Sequence, residues 1–258
     1  MASVPQSNLP LLYSGLQPLS SQLHADWRLR PADKAPFLAG VHAIPLTVEE
    51  FPIAQRHFPI VFSVGEDAVP LALMGLNEGV NVFVEDDGTL RENIYLPAFA
   101  RRYPFLLARL RPDTDELSLC FDPASQVVGP FDEGQPLFEN GEPSQTTREL
   151  LSFCEQFEQS AQRTQAFMRE LKEHDLIIEG ELTIQKEGDD APFIYRGFQM
   201  VAEEKLRELR GDVLRKMTQS GLLGLIFAHL FSLPLAREIF GRQAALGKTP
   251  APSIPGLG

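Results

Sequence analysis

Apolar residues in the second half of the chain recur with the period of an α-helix. Over residues 144–173 a stripe of apolar and small side chains opposes a face of Glu, Gln and Arg, and Ser144 stands at the position of an N-cap. A charged helix is predicted over residues 202–219. Residues 221–235, the most apolar stretch, are predicted to form a buried core helix, because they are too few to span a bilayer and include His229 and a proline.

The first half of the chain has shorter apolar runs, bounded by turn residues, that are typical of strands. With two short helices, they predict a mixed, mainly antiparallel sheet in the N-terminal half. A capping box formed by Thr47 and Glu50 opens the first of these helices. The fold class is therefore α+β, with a helix-rich C-terminal half and a turn at residues 186–191. Strands are predicted at residues 43–46, 60–64, 69–76, 80–84, 105–110, 117–121, 176–178, 181–185 and 192–196.

One pattern, P-x-x-x-R-[HR]-[FY]-P followed by three apolar residues, occurs twice, at residues 52–62 and 97–107. Proline is well tolerated at the start of a helix, and the second proline disfavours helix for the residue before it. Each copy therefore predicts a short helix that turns into a buried strand, with an aromatic side chain at the corner. Whether the repeat reflects structural symmetry or two uses of one local solution is left open by the sequence.

The polar residues of this repeat are the candidate ligand site. Arginine recognises carboxylates and phosphates with paired hydrogen bonds, so the two copies would bind an anionic ligand if they packed side by side. The alternative is a purely structural corner, with the aromatic residue as a plug. The candidate residues are Arg56, His57, Arg101, Arg102 and Tyr103.

Composition limits the classes of function. The chain has 258 residues, 43% hydrophobic residues and a net charge of −12, which argues against nucleic-acid binding and against attachment to anionic lipid by charge alone. Cys120 and Cys154 do not have the spacing of metal ligands. The N-terminus lacks the basic and apolar regions of a signal peptide, so a cytoplasmic location is expected, with export by another route left open.

The domain organisation expected from these patterns is simple. Residues 1–22 form a tail, residues 23–240 a single α+β domain, and residues 241–258 a Gly-, Ala- and Pro-rich disordered tail. Within the domain, residues 40–121 are rich in sheet and residues 144–240 in helix. The acidic loop at residues 122–143 invites a calcium site, but its spacing does not match an EF-hand, and a solvated loop is preferred.

Other motifs with chemical potential are incomplete. His24-Ala-Asp26 matches half of a two-histidine, one-carboxylate iron site, yet the available distal histidines fall on predicted helices. Gly247-Lys248-Thr249 lacks the first glycine of a P-loop. His229 is expected to be a packing residue. No set supplies a nucleophile, a base and an orienting group, so no catalytic residue, metal or cofactor is predicted, and whether the protein is an enzyme stays open, leaning to no.

Several segments together carry a resemblance to a known family, among them Leu76-Asn-Glu-Gly-Val-Asn81-Val-Phe-Val84. The others are residues 50–62, 95–105, 134–138, 141–144, 197–198, 203–206, 228–230 and 232–233. In this order they resemble the SapC family of bacterial proteins, which is named for a gene linked to a surface layer. The resemblance covers nearly the whole chain from His24 to Ile239. It carries over no catalytic activity and no catalytic residues.

The resemblance and the residues together favour a soluble, non-catalytic binding or accessory protein with a possible surface-layer association. The alternative is a small-molecule binder or enzyme acting on an anionic ligand through the arginine and tyrosine cluster. The expected partner is accordingly a protein or a small anionic ligand. Neither a nucleic acid nor a transmembrane segment is expected, and the oligomeric state is not predicted.

Overall fold

The computed structural model describes residues 9–110, 116–185 and 192–249. Strands and helices are numbered here in chain order. The strands are β1 Gln17–Pro18, β2 Arg28–Leu29, β3 Ala43–Pro45, β4 Ile60–Phe62, β5 Pro70–Leu73, β6 Phe105–Arg109, β7 Leu117–Phe121, β8 Val128–Gly129, β9 Gln135–Pro136, β10 Phe138–Glu139, β11 Glu142–Pro143, β12 Ile177–Ile184 and β13 Phe193–Val201. The helices are α1 Phe51–Ala54, α2 Ala98–Arg101, α3 Gln145–Glu173, α4 Glu203–Arg207, α5 Gly211–Ser220, α6 Leu222–Ser232 and α7 Leu235–Ala245.

These elements fall into two compact units. Unit 1 consists of Met1–Ala35 and Ala98–Gln159, and unit 2 of Pro36–Pro97 and Ser160–Gly258, so that the long helix α3 contributes to both. Unit 1 holds three small antiparallel sheets, with strand orders β1-β7-β6, β8-β2-β9 and β10-β11. Unit 2 holds a five-stranded sheet with the order β12-β13-β4-β5-β3. All recorded strand pairings are antiparallel, and the predicted α+β class is confirmed.

The core of unit 1 forms around the hairpin of β6 and β7. Phe105, Phe121, Leu137 and Cys154 are fully or almost fully buried there. Ser144 starts α3 as predicted, because its hydroxyl oxygen accepts a hydrogen bond from the Thr147 N–H at 3.2 Å. Its own hydroxyl donates to the Pro136 carbonyl at 2.6 Å, which fixes the start of the helix to the preceding turn.

The sheet of unit 2 depends on glycines at close approaches. Strand β13 has a bulge where the register shifts, and Gly197 adopts a φ of 90° there. Opposite the next residue, Gly180 lies under the Phe198 ring, where an added Cβ would come within 2.1 Å of the ring carbon Cε2. Gly75 leaves room for the Val80 carbonyl oxygen, which would lie 1.9 Å from a Cβ at position 75.

Local signals at the start of unit 2 act as predicted. The Glu50 carboxylate accepts hydrogen bonds from the Thr47 N–H at 2.8 Å and from the Thr47 hydroxyl at 3.0 Å, which completes the capping box. The box opens a single 3-10 turn, Val48–Glu50, that leads into α1.

Several predicted elements are different in the structure. The strands predicted at residues 176–178 and 181–185 are one strand, β12, and the predicted loop at residues 122–143 contains the short strands β8 to β11.

Residues 80–84 do not form a strand of the five-stranded sheet: Val84 makes only an isolated antiparallel bridge with Leu90, and the Asn81 side chain bonds to backbone groups. Its Nδ2 donates to the Leu38 and Val41 carbonyls, and its Oδ1 accepts from the Phe83 N–H. The helix predicted at residues 202–219 is divided into α4 and α5, because Arg210 has an extended ψ of 143°.

The C-terminal helices also differ from the expectation for residues 241–258, since α7 continues to Ala245. Within the described ranges, Leu222–Ala245 is the one helical stretch long and apolar enough by length and composition to cross a membrane, with a mean hydropathy of 1.5 and 39% of its apolar window buried. In the fold it forms two helices, α6 and α7. The predicted turn at residues 186–191 and the tail beyond residue 249 lie outside the described residues.

Candidate functional site

The first copy of the repeated motif lies in unit 2. Helix α1 ends at Ala54, and the chain turns through Arg56 and His57 into β4. Phe58 is fully buried and packs edge-to-face on Phe83, with the ring centres 5.1 Å apart. Arg56 is exposed and makes no ion pair within the described part of the chain. The His57 ring is partly exposed and lies against Phe58.

The second copy lies in unit 1, where α2 leads into β6. Arg101 is exposed, and its guanidinium carbon lies 5.3 Å from the centre of the Phe153 ring. Arg102 is only 7% exposed. Its guanidinium lies over the rings of Phe99 and Phe157, at 4.6 and 4.0 Å, and Nη1 is 3.2 Å from the Glu158 carboxylate.

Tyr103 fills the corner of the second copy as Phe58 fills the first. Its ring packs edge-on against Tyr13, with the ring centres 5.3 Å apart. Its hydroxyl is 3.5 Å from the buried Asp122 carboxylate. Burial and this neighbouring negative charge raise the pKa of Tyr103 to about 12, so the hydroxyl is neutral at physiological pH.

Both copies fold as predicted, each as a short helix followed by a strand, and their backbone bonding is also alike. The Pro59 carbonyl accepts from the Leu73 N–H at 3.0 Å, and the Pro104 carbonyl accepts from the Asp122 N–H at 2.9 Å. The copies differ at the corner peptide, which is cis only between Tyr103 and Pro104.

The candidate ligand residues are therefore divided between the units. Arg56 and His57 belong to unit 2, whereas Arg101, Arg102 and Tyr103 belong to unit 1. Within unit 1, the three residues are consecutive, but Arg102 turns into the core while Arg101 faces outward. Ligand binding by these residues stays a prediction.

His229, on α6, is fully buried and bonds to the backbone through both ring nitrogens. Its Nδ1–H donates to the Ile60 carbonyl at 2.8 Å. Its Nε2 accepts a hydrogen bond from the Val201 N–H at 3.1 Å. Because Gln199 pairs with Phe62, Ile60 and Val201 occupy the position where β4 and β13 would next meet. The imidazole therefore replaces a direct bond between two strands.

The surroundings of His229 keep it neutral. Burial lowers the pKa of the imidazole from 6.5 to about 4, and the ring stacks on Phe62 at 4.6 Å. Ser232, one turn later, accepts from the Ile60 N–H at 2.8 Å and donates to the His229 carbonyl at 2.6 Å. The expectation that His229 is a packing residue is confirmed. Its role between two strands lacked any local sequence signal.

A groove that the sequence patterns did not reveal lies in unit 2. Its volume is about 350 Å³, and apolar side chains form most of its wall. Glu49, Arg163 and Glu170 add charge, and Arg163 Nε is bonded to the Glu49 carboxylate. The nine lining residues are Val48, Glu49, Arg163, Ala166, Phe167, Glu170, Ser220, Leu222 and Leu225. This arrangement can hold an apolar group beside a charged one.

Residues considered for metals are engaged in other contacts. His24 Nδ1 accepts from the Ser20 N–H at 3.0 Å, and Nε2 lies 3.2 Å from the Gln17 side-chain amide. Asp122, in the acidic loop, accepts from the N–H groups of Ser14 and Ala124 at 2.7 and 2.9 Å. Among the described residues, no group of three His, Cys, Asp or Glu side chains could hold a metal ion.

The fold and these sites define an α+β protein in which most buried polar side chains hold the backbone together. The family model named SapC matches residues 19–239, which is most of the chain, so the protein belongs to the SapC family. The resemblance noted in the sequence is thereby confirmed. No curated protein and no solved structure matched the chain.

Proposed function

We propose that this member of the SapC family is a non-catalytic binding or accessory protein, and that the groove of unit 2 receives a segment of its partner. The observation that supports this proposal is the composition of the groove. Phe167, Leu222 and Leu225 provide apolar surface, and charged side chains lie beside it. Interfaces gain most of their affinity from an apolar anchor in a pocket with polar groups at the rim.

The charges of the groove indicate which partner segment fits. Arg163 is already paired with Glu49, whereas Glu170 is exposed and makes no ion pair with any described residue. The whole chain carries a net charge of −12. An anchor of apolar residues followed by a lysine or arginine would match the groove, and the acidic chain would steer it there.

A capture experiment with three baits tests this proposal. The wild-type protein, Leu225→Arg and Val64→Arg are each incubated with lysate of the native host, and retained proteins are identified by cross-linking mass spectrometry. Val64 is 58% exposed and does not line the groove, so it is the matched control. A partner that cross-links to the groove should be retained by wild type and Val64→Arg and lost by Leu225→Arg. Equal retention by all three baits would exclude the groove.

The alternative function, binding of or catalysis on an anionic ligand, is favoured by one observation. The Nε atom of Arg102 is buried and has no hydrogen-bond partner in the described structure. A ligand oxygen would satisfy it if the surrounding rings moved apart. Native mass spectrometry of gently purified protein tests this, because a small molecule bound at Arg102 should be released by Arg102→Ala and retained by Arg56→Ala, whose side chain belongs to unit 2.

Location and surface-layer association belong to the same proposal. The family resemblance suggests the association, and a cytoplasmic location is the alternative. Fractionation of host cells separates these cases, since an associated protein is recovered with the cell surface. Recovery in the soluble fraction alone would oppose a surface-layer role.

A further inference from the structure

Helix α6 is apolar apart from His229 and Ser232, and the described residues cover its two sides unequally. The covered side includes Ile226, His229 and Ser232. On the opposite side the rings of Phe227 and Phe231 stack with their centres 5.5 Å apart, and Phe231 is 69% exposed. The outer face of α6 is defined here as Leu223, Phe227, Leu230 and Phe231, of which Phe231 is exposed and the other three are partly buried.

A helix at the surface of a protein usually has polar residues on its outward side, and one that is apolar all round is buried or lies in lipid. Exposed apolar patches accordingly mark surfaces that bind partners or membranes. The apolar window within the helical stretch Leu222–Ala245, which begins with α6, has a mean hydropathy of 1.5, and 39% of it is buried. Phe231, and the exposed parts of the other outer-face residues, form an apolar surface that an apolar environment would cover.

The charges around α6 indicate which environment this is. The segment from Gly211 to Ala245 contains four basic and two acidic residues, in a chain that has 23 basic and 35 acidic residues. Arg215, Lys216 and Arg237 are exposed and make no ion pair with the described residues. Exposed basic side chains in the same segment as an exposed aromatic ring are characteristic of segments that lie at the interface of an anionic bilayer.

We propose that the outer face of α6 docks on the surface of an anionic lipid bilayer, with Phe227 and Phe231 inserted among the acyl chains. Apolar insertion supplies most of the binding, because the remainder of the chain is acidic and repels the membrane. The basic residues of α5 and α7 make the contact selective for anionic headgroups.

Docking leaves the fold intact, whereas spanning would not. The side of α6 opposite the outer face is bonded to the sheet through His229 and Ser232, both of which contact Ile60. The groove residues Leu222 and Leu225 also lie away from the outer face, so docking does not use the groove. This inference goes beyond the proposed function and can fail independently of it.

Vesicle flotation with the full-length protein tests the proposal. The vesicles are phosphatidylcholine alone or phosphatidylcholine with about one third phosphatidylglycerol, which supplies the anionic surface. Wild type should float with the anionic vesicles. Phe227→Ser with Phe231→Ser should lower the vesicle partition coefficient by about tenfold or more, because the variant lacks the two aromatic rings that would enter the acyl chains.

Two further variants identify the source of binding. Arg215→Gln with Lys216→Gln should reduce binding to the anionic vesicles by about fivefold or more. The control, Val64→Ser with Ile178→Ser, replaces exposed apolar residues of the same unit outside α6 and should bind like wild type. Circular dichroism verifies that each variant is folded.

Wild type that stays at the bottom of both gradients would overturn the proposal. So would flotation that the phenylalanine variant leaves unchanged. If sedimentation shows a dimer that this variant dissociates, the outer face binds a second copy and the lipid proposal is wrong. Retention in membranes after alkaline carbonate washing would contradict surface docking in favour of insertion across the bilayer.

Discussion

Replacing His229 with alanine should destabilise unit 2 more than any other single histidine substitution among the described residues. The change leaves the Ile60 carbonyl and the Val201 N–H buried without their partner. Each buried polar group left unsatisfied costs about 1–3 kcal/mol, so we expect a loss of about 4 kcal/mol in the free energy of unfolding. The lost stacking of the imidazole on Phe62 adds to this effect.

His229→Asn separates the two hydrogen bonds. The amide nitrogen of asparagine occupies a position close to that of Nδ1, so the bond to Ile60 is retained and the bond from Val201 is lost. We expect a loss of about 2 kcal/mol, half of that in the alanine variant. Hydrogen exchange of the peptide that contains Val201 should be faster in both variants.

The neutral imidazole also makes stability depend on pH. The pKa of the imidazole is about 4 in the folded protein and 6.5 in the unfolded chain. Between pH 4 and pH 6.5 the unfolded chain therefore binds a proton that the native state does not bind. The contribution of His229 is therefore complete above about pH 6.5 and is lost as the pH falls towards 4, with a total of about 3 kcal/mol. Both variants should lack this part of the slope, which distinguishes it from carboxylate titration.

Urea denaturation followed by circular dichroism measures these differences. His174→Ala is the control, since this side chain is partly exposed and makes no hydrogen bond with the described residues, and it should change stability by about 0.5 kcal/mol or less. If His229→Ala costs less than about 1 kcal/mol, or if its pH dependence matches that of wild type, the imidazole does not bridge the strands.

Three further predictions concern other buried sites. Gly75→Ala should lower the free energy of unfolding by about 3 kcal/mol in thermal or urea unfolding, because the added Cβ would meet the Val80 carbonyl oxygen. Gly224→Ala is the control: its Cβ has open space, so the change should stabilise α6 by about 0.5–1 kcal/mol. Equal effects of the two changes would contradict the close approach at Gly75. Arg102→Ala should lower the free energy of unfolding by about 3 kcal/mol, because it leaves a cavity between Phe99 and Phe157. Glu158→Gln should lower it by less than about 1 kcal/mol, since the Glu158 side chain is 39% exposed. Similar losses in both variants would show that the stabilisation comes from the ion pair and not from packing. Cys120 and Cys154 should not react with a thiol reagent at about pH 8 until the chain unfolds, because burial raises the pKa of both thiols to about 11. Rapid reaction of the native protein would show that the thiols are accessible.

Sequence reasoning succeeded where a few neighbouring residues determine the structure. Thr47 and Glu50 form their capping box, Ser144 starts the long helix, and both proline corners turn a helix into a strand. In each case the donor and the acceptor, or the proline and the residue it restricts, are within a few positions of one another. Tertiary packing then has little opportunity to override the local preference.

Sequence reasoning failed where the structure depends on contacts between residues that are far apart in the chain. Val82, Phe83 and Val84 are buried as their apolar character predicts, yet the segment makes only an isolated bridge at Val84, and Asn81 bonds to carbonyls about forty residues earlier. The break at Arg210 likewise has no strong marker, although the following Gly211 is a poor helix former. The pairing of β1 with β7 joins segments about one hundred residues apart, and two-residue strands have no periodicity to detect.

The repeated proline motif has a structural requirement that a residue distant in the chain meets in each copy. After each corner proline, the first residue of the strand directs its carbonyl away from the next strand in sequence, β5 or β7, and a buried carbonyl needs a donor. In unit 2 the donor for Ile60 is His229, and in unit 1 the Tyr13 hydroxyl donates to the Phe105 carbonyl at 2.7 Å. Two different rings, from opposite ends of the chain, satisfy equivalent atoms of the two copies. The motif therefore repeats a backbone arrangement, including the bond that each corner-proline carbonyl accepts, without repeating the ring that bonds to the next carbonyl.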